Sequence, residues 1–221
     1  MENHQTLIRM KNRYHEELFI KMPVIGILRN IPLETIKEIV PLFIKAGLTT
    51  IEVTMNSTKA SETISYISKN HPNLNIGAGT VCDMNDLQKA FDAGATFIVT
   101  PIVYQEVIVA CSQRDIPIFS GAYTPTEIYM ASKLGASMVK LFPATQLGPA
   151  YIKDVLAPLN NLKLVPTGGV SIDNIASFFK AGAAGVGMGS SLFDKKLIAK
   201  KDFEGLLNHF KKICAIVSKN N

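Results

Sequence analysis

Short apolar runs alternate with longer amphipathic stretches along most of the chain. Runs of strand length occur at residues 24–28 (VIGIL), 75–79 (NIGAG), 117–121 (PIFSG) and 162–169 (LKLVPTGG). Between such runs lie stretches of helical periodicity, such as residues 33–46 and 124–134. The second stretch opens with TPTE (124–127), a capping box with proline at the first helical position. The pattern predicts that strands and helices alternate.

Four further segments repeat one design, in which a helical stretch ends at a glycine and an apolar strand follows. They are KAGLTTIEV (45–53), DAGATFIVT (92–100), KLGASMVKLF (133–142) and KAGAAGVGMG (180–189). The spacings between their glycines are 47, 41 and 47 residues, and each glycine suits a left-handed helix cap. Because one helix and one strand cannot fill such an interval, each interval is expected to hold two helix–strand units. The four glycines are Gly47, Gly94, Gly135 and Gly182.

Eight strands alternating with eight helices predict a (β/α)8 TIM barrel, an α/β fold. Residues 1–221 are expected to form a single domain. A helical stretch at about 6–20 stands outside the count and is expected to cover the bottom of the barrel. The alternative is an open doubly wound sheet. Its usual GxGxxG signature is missing after the first strand, where GILRN follows.

Composition and charge narrow the possible partners. The formal net charge is +5, but no dense lysine and arginine run is interleaved with aromatic residues, so no nucleic-acid partner is expected. The three cysteines are far apart and odd in number, which suits a reducing compartment. The chain has no apolar run of about 18 residues and no apolar signal segment near residue 1. A cytoplasmic protein without a membrane partner is therefore expected.

Two charged residues interrupt apolar strands: Lys140 in MVKLF (138–142) and Glu52 in IEV (51–53). One interpretation is structural, with the Lys140 ammonium reaching the barrel rim or pairing with Glu52. In the other, the apolar neighbours of Lys140 lower its pKa and leave a nucleophilic amine. Such an amine can attack a ketone to form a Schiff base, and Glu52 can then transfer protons.

Further polar groups are expected at the C-terminal ends of the strands, where barrels of this kind carry their active sites. TGG (167–169) and GMGSS (187–191) follow the seventh and eighth strands, where many barrels bind phosphate through backbone N–H groups. The glycines could alternatively serve only for tight turns. No histidine lies at a strand end, so neither a catalytic metal nor a cofactor is expected. The other residues expected at this mouth are Arg29, Asn56, Thr80, Pro101 and Phe142.

The ordered segments IEVTMNS, GAGTV, FIVTP, MVKLFPA and VPTGGV resemble a known family. It comprises the 2-keto-3-deoxy-6-phosphogluconate and 4-hydroxy-2-oxoglutarate aldolases and the related 6-phosphogalactonate enzymes. The resemblance spans residues 20–215 of the chain. It implies a class I aldolase, usually a homotrimer, that cleaves a phosphorylated keto sugar acid to pyruvate and glyceraldehyde 3-phosphate.

The resemblance also implies a role for individual residues. Lys140 would be the Schiff-base lysine, and Glu52 the general acid and base acting through a water. Thr80 and Pro101 would line the pyruvate end. The residues implied to hold the distal hydroxyls and the phosphate are Thr167, Gly168, Gly169, Gly189 and Ser190.

Some of the segments that carry the resemblance are more similar to the gluconate-type enzymes, and others to the galactonate-type enzymes. Many gluconate-type members have an arginine for the substrate carboxylate where this chain has Asn56. The LRN and MNS segments are more similar to galactonate-type enzymes, whose arginine follows the first strand, so Arg29 is the candidate. VPTGG matches the gluconate type instead, with Thr167 at the position that would contact the C4 hydroxyl.

The resemblance thus favours cleavage of the gluconate substrate, with the galactonate and hydroxyoxoglutarate substrates as alternatives. Two alternatives belong to other classes: a phosphosugar-binding barrel without turnover and an isomerase. A pure binder needs neither Lys140 nor Glu52, and an isomerase needs no Schiff-base lysine.

Overall fold

The computed structural model describes residues 14–220. Within them, eight parallel strands form one sheet in the order β7-β6-β5-β4-β3-β2-β1-β8, and a parallel bridge between Thr167 and Gly187 joins its edges. The predicted (β/α)8 barrel is therefore confirmed, and the open-sheet alternative is wrong. The strands are β1 (Val24–Leu28), β2 (Thr50–Thr54), β3 (Asn75–Gly79), β4 (Phe97–Val99), β5 (Ile118–Ala122), β6 (Met138–Leu141), β7 (Leu164–Pro166) and β8 (Val186–Met188).

The helices surround the barrel, and their ends follow local sequence signals. Thr124 accepts a hydrogen bond from the backbone N–H of Glu127 (3.3 Å), and the Glu127 carboxylate accepts one from that of Thr124 (2.7 Å), as the capping box predicts. The four predicted glycine caps have φ between 89° and 104°. The helices are α1 (Glu16–Lys21), α2 (Leu33–Ala46), α3 (Ala60–Asn70), α4 (Met84–Asp92), α5 (Gln105–Ser112), α6 (Pro125–Lys133), α7 (Gly148–Leu156), α8 (Ile175–Lys180), α9 (Lys195–Ala199) and α10 (Phe203–Asn220).

The hydrophobic core has two layers, because alternate residues of each strand face opposite sides of the barrel wall. The larger layer fills the space between the strands and the helices. The smaller layer lies inside the barrel and is called the aromatic plug below. Its residues are Phe19, Ile25, Phe97, Val99, Phe119, Met138 and Val165.

The bottom of the barrel is covered by residues 14–21, which precede β1. Phe19 of α1 is 1% exposed and packs edge-on against Phe119, with the ring centroids 5.6 Å apart. The Asn75 side chain, at the start of β3, accepts a hydrogen bond from His15 N and donates one to His15 O. Residues 6–13 of the helix expected at 6–20 lie outside the described part. In the part of that predicted helix that the structure describes, residues 14–20, α1 begins at Glu16.

None of the helices within residues 14–220 is both long enough and apolar enough to cross a membrane.

Candidate active site

Lys140 points into the barrel from β6. Val139 and Leu141, on either side of it, belong to the outer core layer, so the alternation of the strand turns Lys140 inward. The side chain is buried, with 4% exposure. Its neighbour across the β5–β6 ladder is Gly121, where any side chain would overlap the backbone of Pro101. Gly121 thus lets the loop after β4 pack close to the lysine.

Glu52 points into the barrel from β2 in the same way. Ile51 and Val53 face the helices, and Glu52 itself is only 1% exposed. Its carboxylate lies against Gly79 of β3, because a β-carbon built on that glycine would be 2.5 Å from Glu52 Oε1. Oε1 has no hydrogen-bond partner among residues 14–220. This buried acceptor is therefore available to a group that enters the barrel.

The two charged side chains share one small cavity, called the inner cavity below. Their charged atoms are more than 4.0 Å apart, since the residues described include no ion pair between them. The direct ion pair of the structural interpretation is thus not formed. The lining residues are Ile25, Ile27, Glu52, Val99, Phe119, Lys140, Val165, Thr167 and Gly187.

Burial favours the neutral form of both groups. Desolvation lowers the pKa of Lys140 below its ordinary value, and the nearby Arg29 charge lowers it further, while the Glu52 charge opposes the change. Desolvation raises the pKa of Glu52, against the opposing effect of the Lys140 and Arg29 charges. The direction of this change in the Lys140 pKa is the one that its apolar neighbours in the sequence predict. An unprotonated amine beside a carboxyl group can attack a carbonyl and exchange protons with the adduct.

A larger pocket opens above the inner cavity and is called the outer pocket below. It has a volume of about 730 Å³ and is lined by residues from 27–35, 167–171 and 187–199 together with Phe142. Ile27, Thr167 and Gly187 line both spaces, so the two adjoin. Seven predicted site residues meet in this pocket: Arg29, Phe142, Thr167, Gly168, Gly169, Gly189 and Ser190.

The two glycine-rich loops of the outer pocket are tied together by side-chain hydrogen bonds. The Ser191 hydroxyl, in the loop after β8, donates to Val170 O in the loop after β7 at 2.6 Å. Asn174 Nδ2 donates to Gly169 O at 2.8 Å, and a ring nitrogen of His209 lies 2.8 Å from Ser191 O. These contacts hold the backbone of both loops in one arrangement facing the pocket.

Three predicted residues lie at the same end of the barrel but do not line the outer pocket. Asn56 follows β2 and is exposed, Thr80 follows β3 with a left-handed φ of 57°, and Pro101 follows β4 beside Gly121. Pro101 is thus close to Lys140 through the β5–β6 ladder, whereas the structure gives Asn56 and Thr80 no contact with either cavity.

The outer pocket also contains residues that the sequence did not predict. Thr35 is in the first turn of α2 and Lys195 begins α9, and polar residues on helices usually face solvent, so the pattern carried no signal for them. Ser171 directly follows VPTGGV and could have been found by extending that loop by one residue.

Residues 14–220 contain no group of three or more histidine, cysteine, aspartate or glutamate side chains that could hold a metal ion.

Comparison with known proteins places this geometry in a family. Residues 16–208 match the family model for aldolases described as KDPG and KHG aldolase, where KDPG stands for 2-keto-3-deoxy-6-phosphogluconate. The chain is 32% identical over 193 residues to the 2-dehydro-3-deoxy-phosphogluconate aldolase of Haemophilus influenzae, covering 86% of this chain and 91% of that protein.

One curated relative and one solved structure carry the galactonate name. The chain is 34% identical over 175 residues to the 2-dehydro-3-deoxy-6-phosphogalactonate aldolase of Escherichia coli K12, covering 78% of this chain and 85% of that one. A solved structure described as native KDPGal superposes on this chain with a TM-score of 0.84 and has 31% sequence identity to it. The match covers 90% of this chain and 96% of that chain. Both substrate types are thus represented among relatives of similar identity.

Proposed function

Because the chain belongs to the KDPG and KHG aldolase family and is therefore a carbon–carbon lyase, we propose that it forms a Schiff base on Lys140. The proposed substrate is 2-keto-3-deoxy-6-phosphogluconate, and the products are pyruvate and glyceraldehyde 3-phosphate. The observation that carries the proposal is the buried Lys140 amine, whose lowered pKa favours its nucleophilic form beside Glu52.

The proposed reaction uses the two inner-cavity groups in turn. The unprotonated Lys140 amine attacks the C2 ketone to give a carbinolamine. The Glu52 carboxyl group then donates its proton through a water to the carbinolamine hydroxyl, which leaves as water and produces an iminium ion and a Glu52 carboxylate. Glu52, acting through a water, accepts the proton of the C4 hydroxyl while the C3–C4 bond breaks and its electrons move into the iminium. The resulting enamine takes a proton at C3, and hydrolysis of the imine releases pyruvate and restores the amine.

The remaining predicted residues are proposed to hold the substrate. Arg29 binds the C1 carboxylate through its guanidinium fork, while Thr80 and Pro101 line the pyruvate end and Asn56 and Phe142 border the site. The Thr167 hydroxyl contacts the C4 hydroxyl. The phosphate end is bound by the loops that contain Gly168, Gly169, Gly189 and Ser190.

Thr167 supports the gluconate substrate over its C4 epimer. It is 5% exposed, and the only hydrogen bond that its side-chain hydroxyl makes to residues 14–220 is a long one, 3.4 Å, to Val165 O. The hydroxyl therefore has capacity to bond a substrate hydroxyl in one configuration. The galactonate epimer is the second candidate, because a relative named for it is 34% identical to this chain. 4-Hydroxy-2-oxoglutarate, which has no phosphate, is a third.

We also propose that the protein is a cytoplasmic homotrimer in which residues 1–221 form one domain. The free cysteines Cys82, Cys111 and Cys214 support the compartment. Exposed apolar side chains near the β4–α5 loop and α6 support an interface between subunits. They are Ile102 (53% exposed), Tyr123 (38%), Tyr129 (47%) and Met130 (49%). A molar mass of three chains by light scattering is expected, and a monomer at all concentrations would contradict this.

The mechanism is tested by trapping the Schiff base. Incubation with pyruvate and borohydride is expected to leave one reduced adduct, located on Lys140 by peptide mass spectrometry. Lys140→Met should lose both the adduct and cleavage, whereas Lys45→Ala, at an exposed lysine in the last turn of α2, should keep both. Turnover by Lys140→Met, or by an enzyme that is never labelled, would overturn the proposal. A panel of both phosphorylated epimers and 4-hydroxy-2-oxoglutarate then ranks the substrates.

A further inference from the structure

The outer pocket is positively charged. Its lining contains two cationic side chains, Arg29 and Lys195, and no aspartate or glutamate. Lys195 forms no ion pair with an acidic side chain of residues 14–220. Its neighbour Asp194 instead caps α9, accepting hydrogen bonds from Lys196 N at 2.7 Å and Leu197 N at 3.0 Å. The Lys195 charge is thus available to an anion in the pocket.

The two cations stand at different distances from the reacting groups. The Arg29 charge shifts the pKa of both Lys140 and Glu52. Within the described chain, Lys195 is not among the groups that shift either pKa. Arg29 directly follows β1, whose Ile27 lines the inner cavity, whereas Lys195 is on α9, which contributes no residue to the lining of that cavity. Arg29 is therefore nearer the inner cavity than Lys195. A substrate anion next to the ketone would meet Arg29, and an anion at the other end would meet Lys195.

Lys195 shares its side of the pocket with the glycine-rich loops. It begins α9 only a few residues after Gly189 and Ser190, and Ile198 of the same helix also lines the pocket. The Ser191–Val170 hydrogen bond joins this region to the loop after β7. Backbone N–H groups carry only partial positive charges. A dianionic group that they bind is stabilised more strongly when a side chain with a full positive charge is also present.

We propose that Lys195 is the cation that binds the phosphate group and sets the preference for phosphorylated over unphosphorylated keto acids. The inference rests on the proposed function, since its ligand is the phosphate end of that substrate. A lysine ammonium binds phosphate as a point charge and does not require the planar geometry of an arginine. Lys195 is therefore a substrate-binding residue for specificity and takes no part in the bond-breaking steps.

The test compares Lys195→Gln with Lys196→Gln, which removes the same charge from the next residue of α9, outside the pocket lining. Lys195→Gln is expected to raise KM for the phosphorylated substrate roughly tenfold or more, the loss of one charge-assisted hydrogen bond. Its kcat/KM for unphosphorylated 2-keto-3-deoxygluconate and its labelling by pyruvate should stay at the wild-type level. Lys195→Arg, which keeps the charge, should recover part of the affinity.

A second measurement does not depend on cleavage. Calorimetric binding of glycerol 3-phosphate should be roughly tenfold weaker in Lys195→Gln and unchanged in Lys196→Gln. If the wild type neither labels nor cleaves, the proposed function fails, and this titration still decides the role of Lys195. Equal effects of the two glutamine variants, or equal losses with phosphorylated and unphosphorylated substrates, would overturn the inference.

Discussion

The Glu52 carboxylate occupies the space where a side chain at Gly79 would stand. The two residues are on neighbouring strands, and a β-carbon built on Gly79 would be 2.5 Å from Glu52 Oε1 and 2.7 Å from its carboxyl carbon. Gly79 does not have a left-handed φ, so the glycine is required by this contact and not by the backbone conformation. The position of Glu52, the proposed acid–base group, thus depends on the absence of one methyl group on β3.

Gly79→Ala should therefore displace Glu52 without changing any charged residue. We expect kcat for cleavage to fall roughly 10- to 100-fold, as for other small displacements of a catalytic group. Labelling of Lys140 by pyruvate and borohydride should persist, since the lysine is on a different strand. Steady-state kinetics and adduct mass together check the prediction.

The double variant with Glu52→Gln provides the control. If the methyl group acts through Glu52, Gly79→Ala should cost little in an enzyme that already lacks the carboxylate, and the two effects will not add. Fully additive losses would show that Gly79→Ala disturbs some other part of the barrel.

The raised pKa of Glu52 predicts a pH-dependent stability. As the pH rises through the ordinary glutamate value of 4.5, the carboxyl ionises in the unfolded chain while it stays protonated in the folded one. The free energy of unfolding therefore decreases until the pH reaches the folded-state pKa. Glu52→Gln cannot ionise, so it should gain stability over the wild type between about pH 4 and about pH 7.

Urea denaturation of both proteins at the two pH values measures this gain. Glu204→Gln, at an exposed position in the first turn of α10, is the matched control and should follow the wild type. A constant difference between wild type and Glu52→Gln across the range would contradict a buried, protonated Glu52.

Arg29→Lys should separate the charge of Arg29 from its geometry. Lysine keeps the positive charge that helps to lower the Lys140 pKa, but it cannot reproduce the bidentate fork to a carboxylate. We expect pyruvate affinity in the trapping assay to fall roughly tenfold, with the pH dependence of labelling preserved. In Arg29→Gln, both should change. An unchanged pyruvate affinity in Arg29→Lys would place the carboxylate site elsewhere.

Thr167→Val should change the choice between the two epimers. Valine has nearly the shape of threonine but no hydroxyl, so the loss of one hydrogen bond of roughly 1–3 kcal/mol should reduce discrimination at C4. We expect the wild type to prefer the gluconate epimer and the variant to lose most of that preference, measured as the ratio of kcat/KM values. A wild type that prefers the galactonate epimer, or a variant with an unchanged ratio, would exclude Thr167 as the determinant.

Most of the barrel could be predicted because its signals are local. The apolar runs of β1 and β3 match the observed strands, and the helix predicted at 33–46 has both its ends confirmed. The prediction was less accurate at 162–169, where β7 is only Leu164–Pro166. Gly168 and Gly169 adopt φ of 92° and 76°, which end the extended conformation.

The unpredicted features depend on contacts between distant segments. Nothing near Lys195 in the sequence indicates that α9 faces the pocket, because that placement depends on how the chain after β8 packs on the barrel. The same holds for Phe19, whose ring enters the barrel and meets Phe119, which lies 100 residues later in the sequence. Lys140 and Glu52 could be identified from the sequence, because a charged residue within an apolar strand stands out even when its neighbours in the fold are unknown.

The aromatic plug closes the inner cavity on the side away from the outer pocket. Phe119 and Val165 line the cavity and also belong to the plug, so within residues 14–220 the plug closes one end of the space around Lys140, and the outer pocket adjoins the other. For the proposed cleavage, this arrangement fixes the order in which the two products leave the site. The aldehyde half, unattached and nearer the opening, leaves first, and pyruvate, still bonded to the lysine, leaves last. In the direction of synthesis the order reverses: pyruvate must load before the aldehyde arrives, because an aldehyde already in place would block its way.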